Sequence, residues 1–294
     1  MAPPPEGTVA RRRTDDGDLG MPALRAADCH AHVFCRGRLP YAPDATYQPH
    51  PSQAGTVARF LSVLEAHGLT HGLLVGAEPH GTDNRCLLEG IAAGEGRLKG
   101  VALVSPDIAD RDLAALADRG VVGVRYNLSS FGMAQFAHPA TVRLLARLQE
   151  MRWFLQIHCE KDELVEAAPI IRRTGVRVVV DHFGRPDVAR GLDQPGFRTL
   201  LELGRSGNAV VKLSGPFRSS RADWPYRDVE PFIAAAVEAF TPDGCVWGSD
   251  WPFVRTEERI DYGPELACLR RWLPDEADRR KVLWDTPARL LGFG

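Results

Sequence analysis

WFLQIHC at residues 153–159, ELVEAAPIIRR at 163–173 and VRVVVD at 176–181 form the passage on which the fold turns. The first and third pieces are short and mostly apolar, with no alternation of polar residues. That is how a parallel strand covered on both faces reads. The middle piece places apolar residues at helical spacing. Strand, helix and strand make one βαβ unit. The pattern extends in both directions, with strand-like runs at 24–30, 71–77, 99–105 and 121–127 before it and at 209–214 and 245–249 after it. Amphipathic stretches at 57–67, 141–151 and 231–240 fall between them. Eight strands alternating with helices predict an α/β protein, a closed (β/α)8 TIM barrel formed as a single domain over residues 24–294. An open doubly wound sheet is the alternative, but no glycine-rich phosphate loop follows the first run. Residues 1–23 have no periodicity and are expected to form a mobile tail.

Composition narrows the function classes. With 44% hydrophobic and 25% charged residues the chain has ample material for a core. A formal net charge of -2, with no long run of one sign, gives no footing for nucleic acid or an anionic membrane, so a small molecule is the expected partner. The six cysteines (Cys29, Cys35, Cys86, Cys159, Cys245, Cys268) contain no C-x-x-C pair and are read as reduced. No apolar leader is visible near the N-terminus and no stretch is long and apolar enough to span a bilayer; a cytoplasmic protein is expected. Exposed barrel helices make a homodimer a reasonable assembly.

The polar residues gather at strand ends. Asp28, His30 and His32 close the first run, Arg125 the fourth, His158 the fifth, Asp181 and His182 the sixth, and Asp250 follows the eighth. In a barrel these ends meet at one mouth. Residues two apart on a strand share a face, so His30 and His32 are expected to point to the axis, with Cys29 and Ala31 outward. His30, His32, His158 and Asp250 then supply the nitrogen and oxygen ligands of one divalent ion, Zn2+ first and Mn2+ as the alternative, with a position left for water. The fourth run, Gly123-Val-Arg125-Tyr-Asn127, offers no carboxylate or lysine to bridge a second ion. Asp250 is the expected water-activating base and His182 the hydrogen-bond partner of the reacting oxygen. Each histidine alone has a plainer reading as a satisfied buried side chain; the constellation is what argues for chemistry.

DCHAH at 28–32, Arg125-Tyr-Asn127, DHFGRP at 181–186, WGSDWP at 247–252 and TPARLLGF at 286–293 resemble the amidohydrolase superfamily, in order from Asp28 to the C-terminus. Ala42-Pro43-Asp44 through Tyr47, and the segment from His80 through Asp83 to Asn84, resemble in particular its 2-pyrone-4,6-dicarboxylate lactonase branch. The resemblance implies a barrel capped by its C-terminal segment and a lactonase in which Asp250 activates water. It implies that Tyr47, Arg125, Arg185 and Arg218 hold substrate carboxylates, with His80 also lining the mouth. Three departures stand out. The pyrone lactonase carries a tyrosine after its fifth strand and works without a metal, whereas this chain has His158 there. The segment after Asn127 lacks a further arginine, and Phe253 replaces a histidine. A related anionic lactone is therefore expected beside the pyrone diacid: a muconolactone bearing a carboxylate or sulfonate, or a sugar-acid lactone. Operation without a metal stays open.

Three other functions fit the same residues. A nonoxidative metal-dependent decarboxylase of an aromatic or unsaturated acid would release CO2. A lactone isomerase would begin from a similar activated carbonyl. A binding protein for small acids would have no use for a carboxylate poised beside a metal.

Overall fold

The computed structural model describes residues 25–35 and 37–294. The expected tail over 1–23, and the start of the first strand at Leu24, lie outside the described residues. Eight strands form one parallel sheet in sequence order: β1 (Ala27–Ala31), β2 (His71–Val75), β3 (Leu98–Ala102), β4 (Val121–Asn127), β5 (Phe154–His158), β6 (Val178–Val180), β7 (Ala209–Ser214) and β8 (Cys245–Gly248). The edges meet. Ala31 bridges Trp251 in parallel, the His32 amide donates to the Trp251 carbonyl at 2.8 Å, and the Asp250 amide donates to the His30 carbonyl at 2.8 Å. The chain is a (β/α)8 barrel, with helices such as Val57–Ala66, Thr141–Glu150, Leu164–Thr174 and Glu230–Phe240 in the positions their spacing predicted.

Two apolar layers hold it. Phe60, Leu64, Leu144, Leu145, Phe197 and Leu200 of the helices pack with Leu74, Val124, Ile157, Val180 and Leu213 on the outer faces of the strands. Inside, Ala27, Cys29, Leu73, Val101, Phe154, Val179, Val210 and Val246 form a smaller cluster, closed by Leu291 and Phe293. The C-terminal segment thus caps the barrel foot.

Two expectations need correcting. Cys29 belongs to the inner cluster and does not face outward. The β1–β2 register shifts between Asp28 and Ala31, and such an irregularity breaks strict two-residue alternation, so Cys29 and His30 both reach inside. Nor are all cysteines reduced: Cys35 and Cys86 form a disulfide between the loop after β1 and the helix Arg85–Ala93, while the other four are free and buried. Their separation of 51 residues hides the pairing from any reading based on local spacing.

Candidate active site

The segments that carry the site have backbones few residues adopt. His182 (φ 50°) and Asp250 (φ 64°) both lie at positive φ, a conformation costing roughly 1–3 kcal/mol that persists where surrounding structure enforces it. Gly248 permits the closest approach: a Cβ there would stand 2.6 Å from the His30 Cβ and 2.8 Å from its amide nitrogen. A side chain at 248 would therefore displace His30.

Around Asp250, three imidazoles from two strands converge. His30 Nε2 lies 3.6 Å and His32 Nε2 3.8 Å from Asp250 Oδ1, and the two Nε2 atoms are 3.2 Å apart. His182 Nε2 lies 3.8 Å from Asp250 Oδ2. Their outer nitrogens are engaged: His32 Nδ1 with the Val75 carbonyl at 2.9 Å and His182 Nδ1 with the Ser214 hydroxyl at 2.9 Å. All four residues are buried.

The donor set fits a divalent ion. Two ligands about 2.1 Å from one tetrahedral ion stand roughly 3.4 Å apart, and His30, His32 and Asp250 have near that spacing before any ion is considered. Among the described residues, two groups of donors lie close enough together to hold an ion: His30, His32 and Asp250, and His30, Asp181 and His182. His158, expected as a ligand, is in neither. Its Nδ1 lies 3.9 Å from Asp181 Oδ2 and its Nε2 3.4 Å from Arg185 Nη1.

Charge is arranged to keep the base ionised. Burial alone would raise the Asp250 pKa, but Arg218, ion-paired with Oδ2, and the surrounding histidines together outweigh it and hold the carboxyl below its usual range. The imidazoles are kept neutral. Burial, then Lys212, lowers His30; burial, then His30 and Arg125, lowers His32 to about 3. Burial also drives His158 and His182 well below the ordinary histidine value. Neutral imidazoles are the form that ligates a metal.

The expected substrate residues are distributed around this centre. Arg125 spends Nε and Nη2 on Asp181 Oδ2, at 3.1 and 3.0 Å. Arg185 pairs with Glu160. Arg218 is taken by Asp250 and by the Val254 carbonyl, 3.2 Å from Nη2. Burial, and then the neighbouring positive charges of Arg218 and Arg255, lower the Arg185 pKa despite Glu160. Tyr47 lies under Arg255, whose guanidinium carbon is 5.2 Å from the ring centroid. His80 sits on the turn Glu78–His80, 5.1 Å from the Tyr41 ring, and lines a cavity of about 640 Å³ with Tyr41, Glu78, Phe131 and His138. Glu78 joins that cavity to the strand ends by accepting from Asn127 Nδ2 at 2.7 Å.

Three side chains were not singled out from the sequence, and a fourth, Asp28, has a role of its own. Lys212 is fully buried inside the barrel, and a lone lysine in the run Ala209-Val-Val-Lys-Leu-Ser214 was the signal for it. Gln156 donates to Asp181 Oδ2 at 3.1 Å, and was visible the same way. Ser214 orients His182. Asp28 lies outside the imidazole cluster and latches β1 to β8, accepting from the Ser249 amide at 2.9 Å and the Tyr262 hydroxyl at 2.9 Å.

Residues 27–293 match the amidohydrolase family model. A 4-sulfomuconolactone hydrolase from Rhizobium radiobacter is 32% identical over 91% of this chain and 90% of its own length. A 2-pyrone-4,6-dicarboxylate hydrolase from Comamonas testosteroni is also 32% identical, over 90% of this chain and 89% of its own. Among solved structures, a probable 2-pyrone-4,6-dicarboxylic acid hydrolase from Acinetobacter baumannii, with citric acid bound, superposes with a TM-score of 0.84 at 29% identity, covering 91% of this chain and 99% of that one.

Proposed function

The chain belongs to the amidohydrolase family, and from that premise we propose that it hydrolyses a small lactone carrying a carboxylate or sulfonate group. The observation that carries this reading is the convergence of His30, His32 and His182 on an ionised Asp250, with Arg218 on Asp250 itself and Arg125 and Arg185 beside Asp181 and His158. The relatives named above as lactone hydrolases support the substrate class.

One divalent ion, Zn2+ in the first instance, would be held by His30, His32 and Asp250; when bound it supplies a more acidic water and a polarised carbonyl. The chain's own residues account for the rest. Asp250 accepts a proton from water as the oxygen attacks the ring carbonyl carbon. The Ser214 hydroxyl donates to His182 Nδ1, leaving Nε2–H to donate to the oxygen on which charge builds. Cleavage of the ring C–O bond returns the proton to the departing oxygen, so the product is one hydroxy acid, with the elements of water added. Arg185 binds the substrate's anionic group at the rim. Arg125 and Arg218 add positive potential while remaining tied to Asp181 and Asp250, and Tyr47 and His80 border the space around the ring. His158, beside Arg185, belongs with the substrate-facing residues in this reading. A cytoplasmic setting goes with it: four unpaired cysteines support that setting, and the Cys35–Cys86 bridge opposes it.

The test is elemental analysis of the purified protein together with a screen of pyrone, muconolactone and sugar-acid lactones, followed by pH-stat and CO2 detection. Acid release without CO2 is expected. CO2 release would assign a decarboxylase, and a rearranged lactone with no net acid would assign an isomerase.

A further inference from the structure

Lys212 has no place in the mechanism above, yet it occupies a position that the barrel has built with care. It lies on β7 two residues after Val210, so its side chain shares the inner face with the apolar cluster at the foot. No part of it reaches solvent. Removing an ammonium from water costs several kcal/mol unless partners replace the hydration, so this placement requires them. Three other strands supply them. Nζ donates to Gln156 Oε1 at 2.8 Å and lies 3.2 Å from both Asp181 Oδ1 and His30 Nδ1.

Two of those partners, Asp181 and His30, are members of the second donor group, His30, Asp181 and His182, which adjoins the first group through the shared His30. The second group therefore already has a cation against it. Asp181 Oδ2 is meanwhile saturated by Arg125 and Gln156, which leaves Oδ1 as the side that Lys212 and His30 Nδ1, at 3.3 Å, both face. A divalent ion bound there would stand against a fixed positive charge in a fully buried site, where like-charge repulsion is least screened.

We propose that Lys212 is a built-in second cation: its ammonium fills the position beside Asp181 and His30 and limits the centre to one divalent ion. This rests on the reading of His30, His32 and Asp250 as a one-ion centre. It also gives a positive reason for a single ion, where the sequence offered only the lack of a bridging residue on β4.

The sign of the effect separates this role from a brace. If Lys212 only held His30 in place, removing it would loosen cation binding; if it acts as a resident cation, removing its charge strengthens binding. The full chain, stripped of metal by chelation, is titrated with Co2+ and followed by visible absorption and elemental analysis. The wild-type protein is expected to saturate at one equivalent. Lys212→Met, similar in length and uncharged, is expected to bind Co2+ at least tenfold more tightly and to take up more than one equivalent. Lys212→Gln, which retains a partner for Gln156, makes the same comparison should the Met variant not fold. Folded variants that bind one Co2+ no more tightly than wild type overturn the proposal. A wild-type chain that binds no Co2+ overturns the one-ion reading itself, and this inference with it.

Discussion

The foot and the mouth of this barrel are made from the same eight strands and from opposite kinds of residue. At the foot, Ala27, Leu73, Val101, Phe154, Val179, Val210 and Val246 interlock and are sealed by Leu291 and Phe293. A few residues further along the same strands come Asp181, His158, Lys212 and His30, every one buried and every one charged or imidazole. Burial is equally complete at both ends. The difference is that the foot gains free energy from it, at about 25 cal/mol per Å² of apolar surface, while the mouth must offset desolvation through ion pairs and carries the added cost of strained backbone. The foot holds the barrel together so that the mouth can keep an arrangement that is costly by itself.

Substitutions at each end should therefore fail in different ways. The largest effect belongs to the mouth. Asp250→Asn keeps the shape and removes the base, and turnover on the best lactone should fall by at least ~10³ with the far-UV circular dichroism unchanged. Steady-state kinetics near the wild-type rate would take Asp250 out of the chemistry. At the foot, Leu291→Ala should cost about 2–5 kcal/mol in denaturant unfolding while leaving kcat/KM of the folded enzyme within about twofold. A matching loss of turnover at temperatures where the variant is folded would mean the two ends are coupled.

A smaller effect is expected at the rim. Arg185→Ala should raise KM for carboxylated or sulfonated lactones by roughly 10- to 100-fold, the equivalent of one charge-assisted anchor, with uncharged esters little changed. Equal losses on both substrate types would reassign Arg185 to holding Glu160 and His158 in place.

The smallest effect comes from the outer wall. Burial pushes the Glu265 carboxyl, which faces Tyr226, up to about 8. A carboxyl whose folded pKa lies above its unfolded value stabilises the fold at low pH, and that contribution is lost as pH rises through the folded value. Asp28 behaves alike but is pushed only to about 6, and the buried histidines, held below their ordinary value, act in the opposite sense mostly below about pH 7, so the downward contribution of Glu265 is read between about pH 7 and 8. Glu265→Gln should flatten the fall in stability across that window, read as melting temperature against pH, without moving the activity profile. An unchanged slope would place the titration elsewhere.

Much of this was legible in the linear chain because it is local. A strand covered on both faces must be apolar along its length, and a helix on a sheet must be apolar along one stripe, so the runs at 121–127 and 209–214 carry their own boundaries. The breaks in that pattern, His30, His32, His158, His182 and Asp250, were visible for the same reason. A polar residue at the end of a parallel strand has no purpose in packing.

Which of those residues touch, and through which atom, was decided only in three dimensions. The β1 irregularity turned Cys29 inward, Arg218 paired with Asp250, and His158 came to rest against Arg185, outside the compact donor groups. Cys35 found Cys86 across 51 residues. Lys212 acquired its meaning from partners on three other strands. Sequence periodicity fixes which face a residue occupies because that is set by its neighbours along the backbone. Hydrogen bonds and charge pairs across a barrel depend on closure, and no segment carries closure alone.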